Sequence, residues 1–231
     1  MLILAVDTAG ERVGVAVGRG PVVIGAVTLD GRRRHAEQLV PAVRYLFREL
    51  GLKPGQLAAV AVGTGPGLFT GLRVGITTAT AMASALRIPV VGIPSLDLVA
   101  YPLRHATRTI AAVLDARRHE VFWALYEPVP GGIQRVSEYE VGSPDTLGAD
   151  LTARPGDHLV AGSGALAYAD LFEPLDHVEL AGPSHAGPDA TALVELAAAR
   201  LEREEFSRPS EVRPLYLRRS DAEINWGRAA S

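Results

Sequence analysis

The chain has 231 residues, of which 48% are hydrophobic, and its formal net charge at pH 7 is −3. This length and apolar content are enough for one large domain or two small lobes with a real core. The negative balance argues against a protein whose main task is to coat nucleic acid. Because the chain contains no cysteine, it has no disulfides, thiolate zinc sites or cysteine nucleophiles.

The N-terminal apolar run ends at Asp7, which is too early for a signal-peptide core, and no apolar segment approaches the roughly 20 residues that span a bilayer. We therefore expect a cytoplasmic protein with no membrane association. Three short arginine clusters are expected to be solvated loop charges, although direct contact with nucleic acid is left open. These clusters are Arg32-Arg33-Arg34, Arg117-Arg118 and Arg218-Arg219.

The first half of the chain predicts elements in the order β-β-β-α-β-α-β-α. Apolar runs of strand length bounded by Gly and Pro indicate the strands, and apolar residues at helical spacing indicate the helices. The predicted strands cover residues 2–6, 12–18, 22–29, 57–62 and 89–93. The predicted helices cover residues 35–50, 70–86 and a segment that follows Ser95 as its N-cap and ends near residue 104.

The second half begins with another three-strand unit. Its predicted elements are strands at 109–114, 120–126 and 133–141, short segments near 158–161, 167–172 and 177–180, and a helix at 190–203. Two successive β-β-β units that lead into helices indicate a duplicated α/β lobe. We therefore predict an N-terminal lobe at residues 1–106 and a C-terminal lobe at residues 107–231.

The glycine-rich run at residues 62–76 resembles a phosphate loop but lacks its chemistry. A P-loop needs a lysine and a following Ser or Thr, and the only lysine of the chain is Lys53. The dinucleotide fingerprint fails as well, because Leu68 and Thr70 occupy the positions of the required third glycine. We interpret the glycines as close packing at a strand-to-helix junction, which together with the small-residue helix behind them shapes a surface for another protein.

Few residues in the chain could support catalysis. No two of the six histidines have the i, i+4 spacing of a helical metal pair, and we expect His35 and His119 to be surface groups. Asp7 ends the first strand and Asp115 holds the equivalent place in the second half, as an actin-like nucleotide cleft would require. However, bulky residues at 116–120 stand where a phosphate-binding hairpin needs glycines.

Five sequence elements together resemble the TsaB (YeaZ) family, and the resemblance extends over nearly the whole chain. The third element, Gly-Pro-Gly-x-Phe-Thr-Gly-Leu-Arg, is highly specific in sequence with the other four, far more so than any single glycine motif. The elements are Leu4-Ala5-Val6-Asp7-Thr8, His35-Ala36-Glu37-Gln38-Leu39, Gly65-Pro66-Gly67-Leu68-Phe69-Thr70-Gly71-Leu72-Arg73, Asp115-Ala116-Arg117-Arg118-His119-Glu120-Val121 and Pro214-Leu215-Tyr216-Leu217-Arg218.

The resemblance implies an actin-like ASKHA fold with two related lobes, each a mixed β-sheet flanked by helices. It also implies a role in N6-threonylcarbamoylation of adenosine 37 in tRNAs that read ANN codons. The catalytic relative TsaD carries a His-x-x-x-His metal pair, whereas residues 92–100 of this chain contain no histidine. The resemblance therefore implies a non-catalytic scaffold without catalytic, cofactor-binding or metal-binding residues, and it gives no support to a peptidase activity.

The resemblance further implies a TsaD-type transferase as the direct partner, a TsaE-type ATPase reached through the complex, and indirect contact with tRNA. A homodimer of the isolated chain and a nucleotide bound at the partner interface are both left open. The opposing hypothesis is an ATP-dependent kinase or ATPase of the same fold, which is motivated by Asp7 and Asp115.

The family's working surface is a helical face of the N-terminal lobe. The small residues of the predicted helix 70–86 allow another helix to approach closely, and the predicted helix 35–50 is amphipathic. The alternative is that the small residues pack inside the lobe against its own sheet. The predicted interface residues are Glu37, Val40, Val43, Arg44, Phe47, Leu72, Ile76, Thr80 and Ala83.

Overall fold

A computed structural model describes residues 1–31 and 34–218. The strands are β1 (Leu2–Asp7), β2 (Arg12–Arg19), β3 (Val22–Asp30), β4 (Ala59–Gly63), β5 (Val90–Ile93), β6 (Thr109–Arg117), β7 (Glu120–Val129), β8 (Gly132–Arg135), β9 (Glu140–Gly142), β10 (His158–Ala161) and β11 (Val178–Leu180). The helices are α1 (His35–Glu49), α2 (Phe69–Leu86), α3 (Ser95–Ala100), α4 (Pro144–Ala153), α5 (Ser163–Ala167), α6 (Ala169–Phe172) and α7 (Ala190–Glu202). Arg32, Arg33 and Arg219 from the predicted clusters lie outside the described residues, as does the end of the predicted C-terminal lobe. No helix within the described ranges is long and apolar enough to cross a membrane.

The first sheet has the strand order β3-β2-β1-β4-β5 and mixes both strand directions. Its central strand β1 pairs antiparallel with β2 and parallel with β4. Every residue of β1 and β4 is buried, because helices cover both faces of the sheet. On one face, α1 contributes Leu39, Val43 and Phe47 to the core, and on the other face α7 contributes Leu193 and Val194.

The second sheet repeats this connectivity. Its order is β11-β10-β6-β7-β8, with β9 also paired to β7. The strand β6 pairs antiparallel with β7 and parallel with β10, and therefore takes the place that β1 has in the first sheet. Two mixed sheets of the same topology, each flanked by helices, match the predicted architecture.

The end of the described chain returns to the first lobe. Helix α7 falls in the sequence range predicted for the C-terminal lobe, yet it packs against Ile3 and Ala5 of the first sheet. Beyond α7, Ser207 exchanges two backbone hydrogen bonds with Val90 of β5. The first lobe is therefore completed by residues that are far away in sequence, and the sequence ranges of the two lobes stay a prediction.

The strand predicted at 133–141 is wrong as one element, because it is interrupted between β8 and β9. The hydroxyl of Ser137 accepts a hydrogen bond from the backbone N–H of Leu125 at 3.0 Å. A side chain thus replaces the backbone carbonyl that a continuous ladder would supply, and the pairing breaks at this point. The chain rejoins β7 only at Glu140, which pairs with Trp123.

Two helix starts differ from the sequence expectation. Ser95 is the first residue of α3 rather than its N-cap, and its hydroxyl instead accepts a hydrogen bond from the backbone N–H of Gly65 at 3.1 Å. The helix α4 was not predicted, although its start carries a recognisable signal. The side chain of Ser143 accepts from the N–H of Thr146, and Pro144 occupies the first helical position.

Candidate functional site

A cleft of about 180 Å³ lies between the two lobes, where β1 and β6 end. This volume is below the roughly 300–1,000 Å³ of typical small-molecule sites. Residues of both lobes line it. They are Ala9, Gly10, Glu11, Gly67 and Leu68 from the first lobe, and Leu114, Asp115, Arg117, Ser163 and Ala167 from the second.

Three glycines bring the start of α2 against the end of β1. A Cβ atom would lie 2.4 Å from the carbonyl oxygen of Ala9 if added at Gly67, and 2.1 Å from that of Thr8 if added at Gly71. At Gly75 it would lie 2.3 Å from the Thr8 hydroxyl oxygen. The Thr8 hydroxyl in turn donates a hydrogen bond to the Gly71 carbonyl at 2.7 Å. The glycines therefore serve close packing at the strand-to-helix junction, and their role in shaping a docking surface stays a prediction.

Asp7 is buried at this junction and does not line the cleft. Its Oδ1 accepts a hydrogen bond from the N–H of Ala9 at 3.1 Å, while no described residue bonds to its Oδ2. Gly63 packs directly over Oδ2, since a Cβ there would lie at 1.8 Å. Burial raises the pKa of Asp7 to about 7, and the hydrogen bond from Ala9 opposes this only in part. A carboxyl group enclosed in this way does not present an anionic ligand to the cleft.

Asp115 lies on the opposite wall, where Arg117 binds it. The Asp115 carboxylate accepts a hydrogen bond from the N–H of Arg117 at 2.9 Å and lies 3.1 Å from its guanidinium. The same guanidinium forms an ion pair across the cleft with Glu11 of the first lobe. Arg117 therefore joins carboxylates of both lobes and occupies the mouth of the cleft with its own positive charge.

The turn that carries Arg117 has a strained backbone. Arg117, Arg118 and His119 have φ angles of 64°, 58° and 60°. Because Arg117 pairs with Glu120, Arg118 and His119 form a two-residue hairpin loop with both φ angles positive, a geometry that favours Asn-Gly. A non-glycine residue in this region costs on the order of 1 kcal/mol. The turn thus presents long side chains where a phosphate-binding hairpin would present glycine backbone.

The site does not fit a magnesium–nucleotide complex. The cleft is small, an Arg117–Glu11 ion pair crosses it, and the carboxyl group of Asp7 is enclosed. Of the residues that the structure describes, no three His, Asp or Glu side chains are grouped to hold a metal ion. The two aspartates that suggested a nucleotide cleft are therefore engaged in packing and in binding an arginine.

The predicted interface residues fall into two groups. Buried side chains form core contacts within the first lobe, which is the alternative considered for the small-residue helix. These are Val43, Phe47, Leu72, Ile76 and Ala83. The others reach the surface of α1 and α2, where Thr80 is half-buried and the rest are exposed. These are Glu37, Val40, Arg44 and Thr80. Among the predicted residues, only these four surface residues of α1 and α2 could contact a partner directly.

Sequence reasoning missed two features of this lobe. Tyr45 is 49% exposed beside Arg44, and its position outside the apolar spacing of α1 was the available signal. The expectation that His35 is a surface group is wrong, because it is buried with its Nε2 2.9 Å from the carbonyl oxygen of Gly10. His35 thus supports the turn between β1 and β2, a contact that no local pattern indicates.

Comparison with known proteins places these features in a family. Residues 23–226 match the family described as TsaD: tRNA N6-adenosine threonylcarbamoyltransferase. The tRNA threonylcarbamoyladenosine biosynthesis protein TsaB of Escherichia coli is 34% identical over 175 residues, covering 74% of this chain and 75% of that protein. The chain belongs to the TsaB (YeaZ) family. The solved structure of YeaZ from Pseudomonas aeruginosa matches it with a TM-score of 0.81 and 32% identity, covering 94% of this chain and 99% of that one.

Membership of the TsaB family confirms the resemblance drawn from the five sequence elements, and the two mixed sheets confirm the actin-like fold. An uncharacterized protein of Mycobacterium tuberculosis is also similar, with 40% identity over 226 residues that cover 95% of this chain and 93% of that protein. The relatives that carry the TsaB name are tRNA threonylcarbamoyladenosine biosynthesis proteins.

Proposed function

We propose that this chain is a non-catalytic subunit that binds and activates a TsaD-type transferase. The complex would carry out N6-threonylcarbamoylation of adenosine 37 in tRNAs that read ANN codons. The observation that carries this proposal is the wall of the small inter-lobe cleft, where Arg117 pairs with Asp115 and Glu11 at the place where a nucleotide's phosphates would have to bind. In this proposal the chain supplies a binding surface for the transferase and no catalytic group.

The surface best suited to a protein partner is the exposed side of α1. Val40 is 48% exposed and Tyr45 is 49% exposed, and Glu37 and Arg44 lie between them on the exposed side of the helix. Exposed apolar and aromatic side chains beside an arginine are enriched in protein interfaces. A TsaE-type ATPase would join through the complex. A second copy of the chain would bind the same face when the transferase is absent.

The proposal is tested by reconstitution of the tRNA modification from purified proteins, with and without this chain. We expect product formation to require the chain together with a TsaD-type subunit, and the chain alone to produce none. Modification at full rate without the chain would disprove the proposal. Calorimetry of the isolated chain with ATP and magnesium separates the kinase or ATPase alternative, which requires tight binding and turnover that Asp7→Ala abolishes.

The docking face is tested with Val40→Glu. The substitution places a charge on an exposed position of α1, and its burial against a partner without a counter-charge should weaken association at least about tenfold. The matched control is Val22→Glu on β3, a position that is 64% exposed and belongs to another surface. Affinity for the TsaD-type subunit is measured by calorimetry, with circular dichroism to verify folding. If both variants bind the TsaD-type subunit equally well, the surface of α1 around Val40 is not part of the interface.

A further inference from the structure

The last described residues, 206–218, are named here the C-terminal belt. The belt begins on the first lobe, turns at residues 208–211 and ends at the second lobe, where Leu217 packs against the cluster that contains Leu114 and Phe122. Its Val212 packs in the cluster that contains Ile76 and Ala83 of α2. Further along, the N–H of Leu215 donates a hydrogen bond to the carbonyl of Thr64 at 2.8 Å. The belt therefore runs along the flank of α2 and reaches the loop that begins this helix.

The belt and α2 together carry arginines that lack acidic partners. Most other arginines pair with a carboxylate, as Arg104 does with Glu195. Arg73, Arg208 and Arg213, like Arg12 and Arg19 of β2, form no ion pair with any carboxylate in the described part of the chain. Arg73 is the only charged residue of α2. The belt itself has three arginines and one acidic residue, Glu211, whose carboxylate accepts a hydrogen bond from the Arg208 N–H at 2.9 Å. With Arg73 added, this flank is locally basic within a chain of net charge −3.

Aromatic rings lie beside these charges. The Arg73 guanidinium lies 4.0 Å from the centre of the Phe69 ring, and its Nε donates a hydrogen bond to the Tyr216 hydroxyl at 3.3 Å. The rings of Phe69 and Tyr216 stack with their centres 5.3 Å apart. Tyr216 nevertheless remains 43% exposed, and Phe206 at the other end of the belt is 49% exposed. Both rings keep surface available for a further contact.

We propose that the C-terminal belt and the first turns of α2 form an RNA-binding surface that contacts unpaired nucleotides of the tRNA substrate. Arginines without carboxylate partners neutralise phosphates, and exposed aromatic rings stack on bases that are not held in a helix. The combination favours RNA over an acidic protein, because the arginines can bind the phosphates of a nucleotide and the aromatic rings can stack on its base. This inference rests on the proposed function, which supplies the tRNA, and names a direct contact where only an indirect one was expected.

The experiment uses the reconstituted complex and an unmodified tRNA transcript. The double variant Arg208→Glu/Arg213→Glu is compared with Arg12→Glu/Arg19→Glu, which changes the charge equally at β2. We expect the belt variant to raise the KM for tRNA about tenfold or more at unchanged kcat, and to reduce the dependence of tRNA affinity on salt. Tyr216→Ala should raise the KM about fivefold or more, whereas Tyr216→Phe, which keeps the ring, should not.

The outcomes distinguish the possible failures. Unchanged KM and salt dependence in the belt variant would overturn the RNA contact while leaving the subunit function intact. An equal effect of the β2 control would also overturn it, because the effect would then arise from overall charge. Weaker association of the belt variant with the TsaD-type subunit, with normal tRNA binding by the assembled complex, would show a protein contact instead. If the wild-type chain proves unnecessary for modification, the proposed function itself fails, whatever the belt variants do.

Discussion

Replacing Gly71 by alanine is expected to lower the free energy of unfolding by about 3 kcal/mol. Helix propensity by itself favours alanine by about 1 kcal/mol in a helix interior. The added Cβ, however, would lie 2.1 Å from the backbone carbonyl oxygen of Thr8. Relief of this overlap requires α2 to move away from β1, which breaks the Thr8–Gly71 hydrogen bond and opens the packing around it. The steric effect therefore outweighs the propensity.

The measurement is thermal and urea unfolding of the isolated chain. A loss of about 3 kcal/mol corresponds to a fall in Tm of roughly 6–12 °C for a domain of this size. Gly55→Ala is the matched control, because a Cβ at Gly55 meets no atom within 4 Å. If Gly71→Ala were as stable as this control, the junction would be loosely packed, and the packing interpretation of the glycine run would be wrong.

Replacing Asp7 by asparagine is expected to remove much of the loss of stability that the wild-type chain shows as pH rises. Burial raises the pKa of Asp7 from its ordinary value near 3.8 to about 7 in the folded chain. The folded state therefore holds a proton that the unfolded state releases between about pH 4 and pH 7. The contribution to stability is full below this range, falls as pH rises through it and is lost above it. A shift of this size corresponds to an upper bound of about 4 kcal/mol.

The test compares urea unfolding of wild type and Asp7→Asn at pH 5 and pH 8. We expect the variant to be more stable at pH 8 by about 2 kcal/mol, less than the upper bound because its amide still lacks a partner at the Oδ2 position. The control is Asp176→Asn, which changes an exposed aspartate. If stability depends on pH in the same way in Asp7→Asn as in wild type, burial of the Asp7 carboxyl group does not destabilise its charged form, and the prediction is wrong.

These two predictions address the same question about function. A cost in stability near neutral pH would show that Asp7 is enclosed in the folded chain and does not serve as an anionic ligand in the cleft. On the other wall of the cleft, the ion pairs of Arg117 with Glu11 and Asp115 likewise engage the carboxylates that a metal–nucleotide complex would need. The enclosed Asp7 at one wall and the paired Arg117 at the other both favour a subunit that acts by binding a partner protein.

The sequence by itself determined the order of strands and α-helices in the first half of the chain and the absence of phosphate-loop chemistry in the glycine run. Strands such as β1 and β4 are recognisable because buried strands read as continuous apolar runs, and the missing lysine already removed the phosphate-loop reading. The five sequence elements were sufficient to identify the family. Local patterns carry this information because strand burial and turn chemistry depend on neighbouring residues.

Only the tertiary structure decided which side chains meet across the fold. Arg117 and Glu11 are 106 positions apart, and no local pattern reports that their charges face each other across a cleft. Burial likewise separated Val43 and Ile76, which lie in the core, from Val40, which can meet a partner. The raised pKa of Asp7 and the placement of α7 on the first sheet also arise from contacts between segments that are distant in sequence. Desolvation and packing depend on atoms brought together from distant segments, and these distances exist only once the chain has folded.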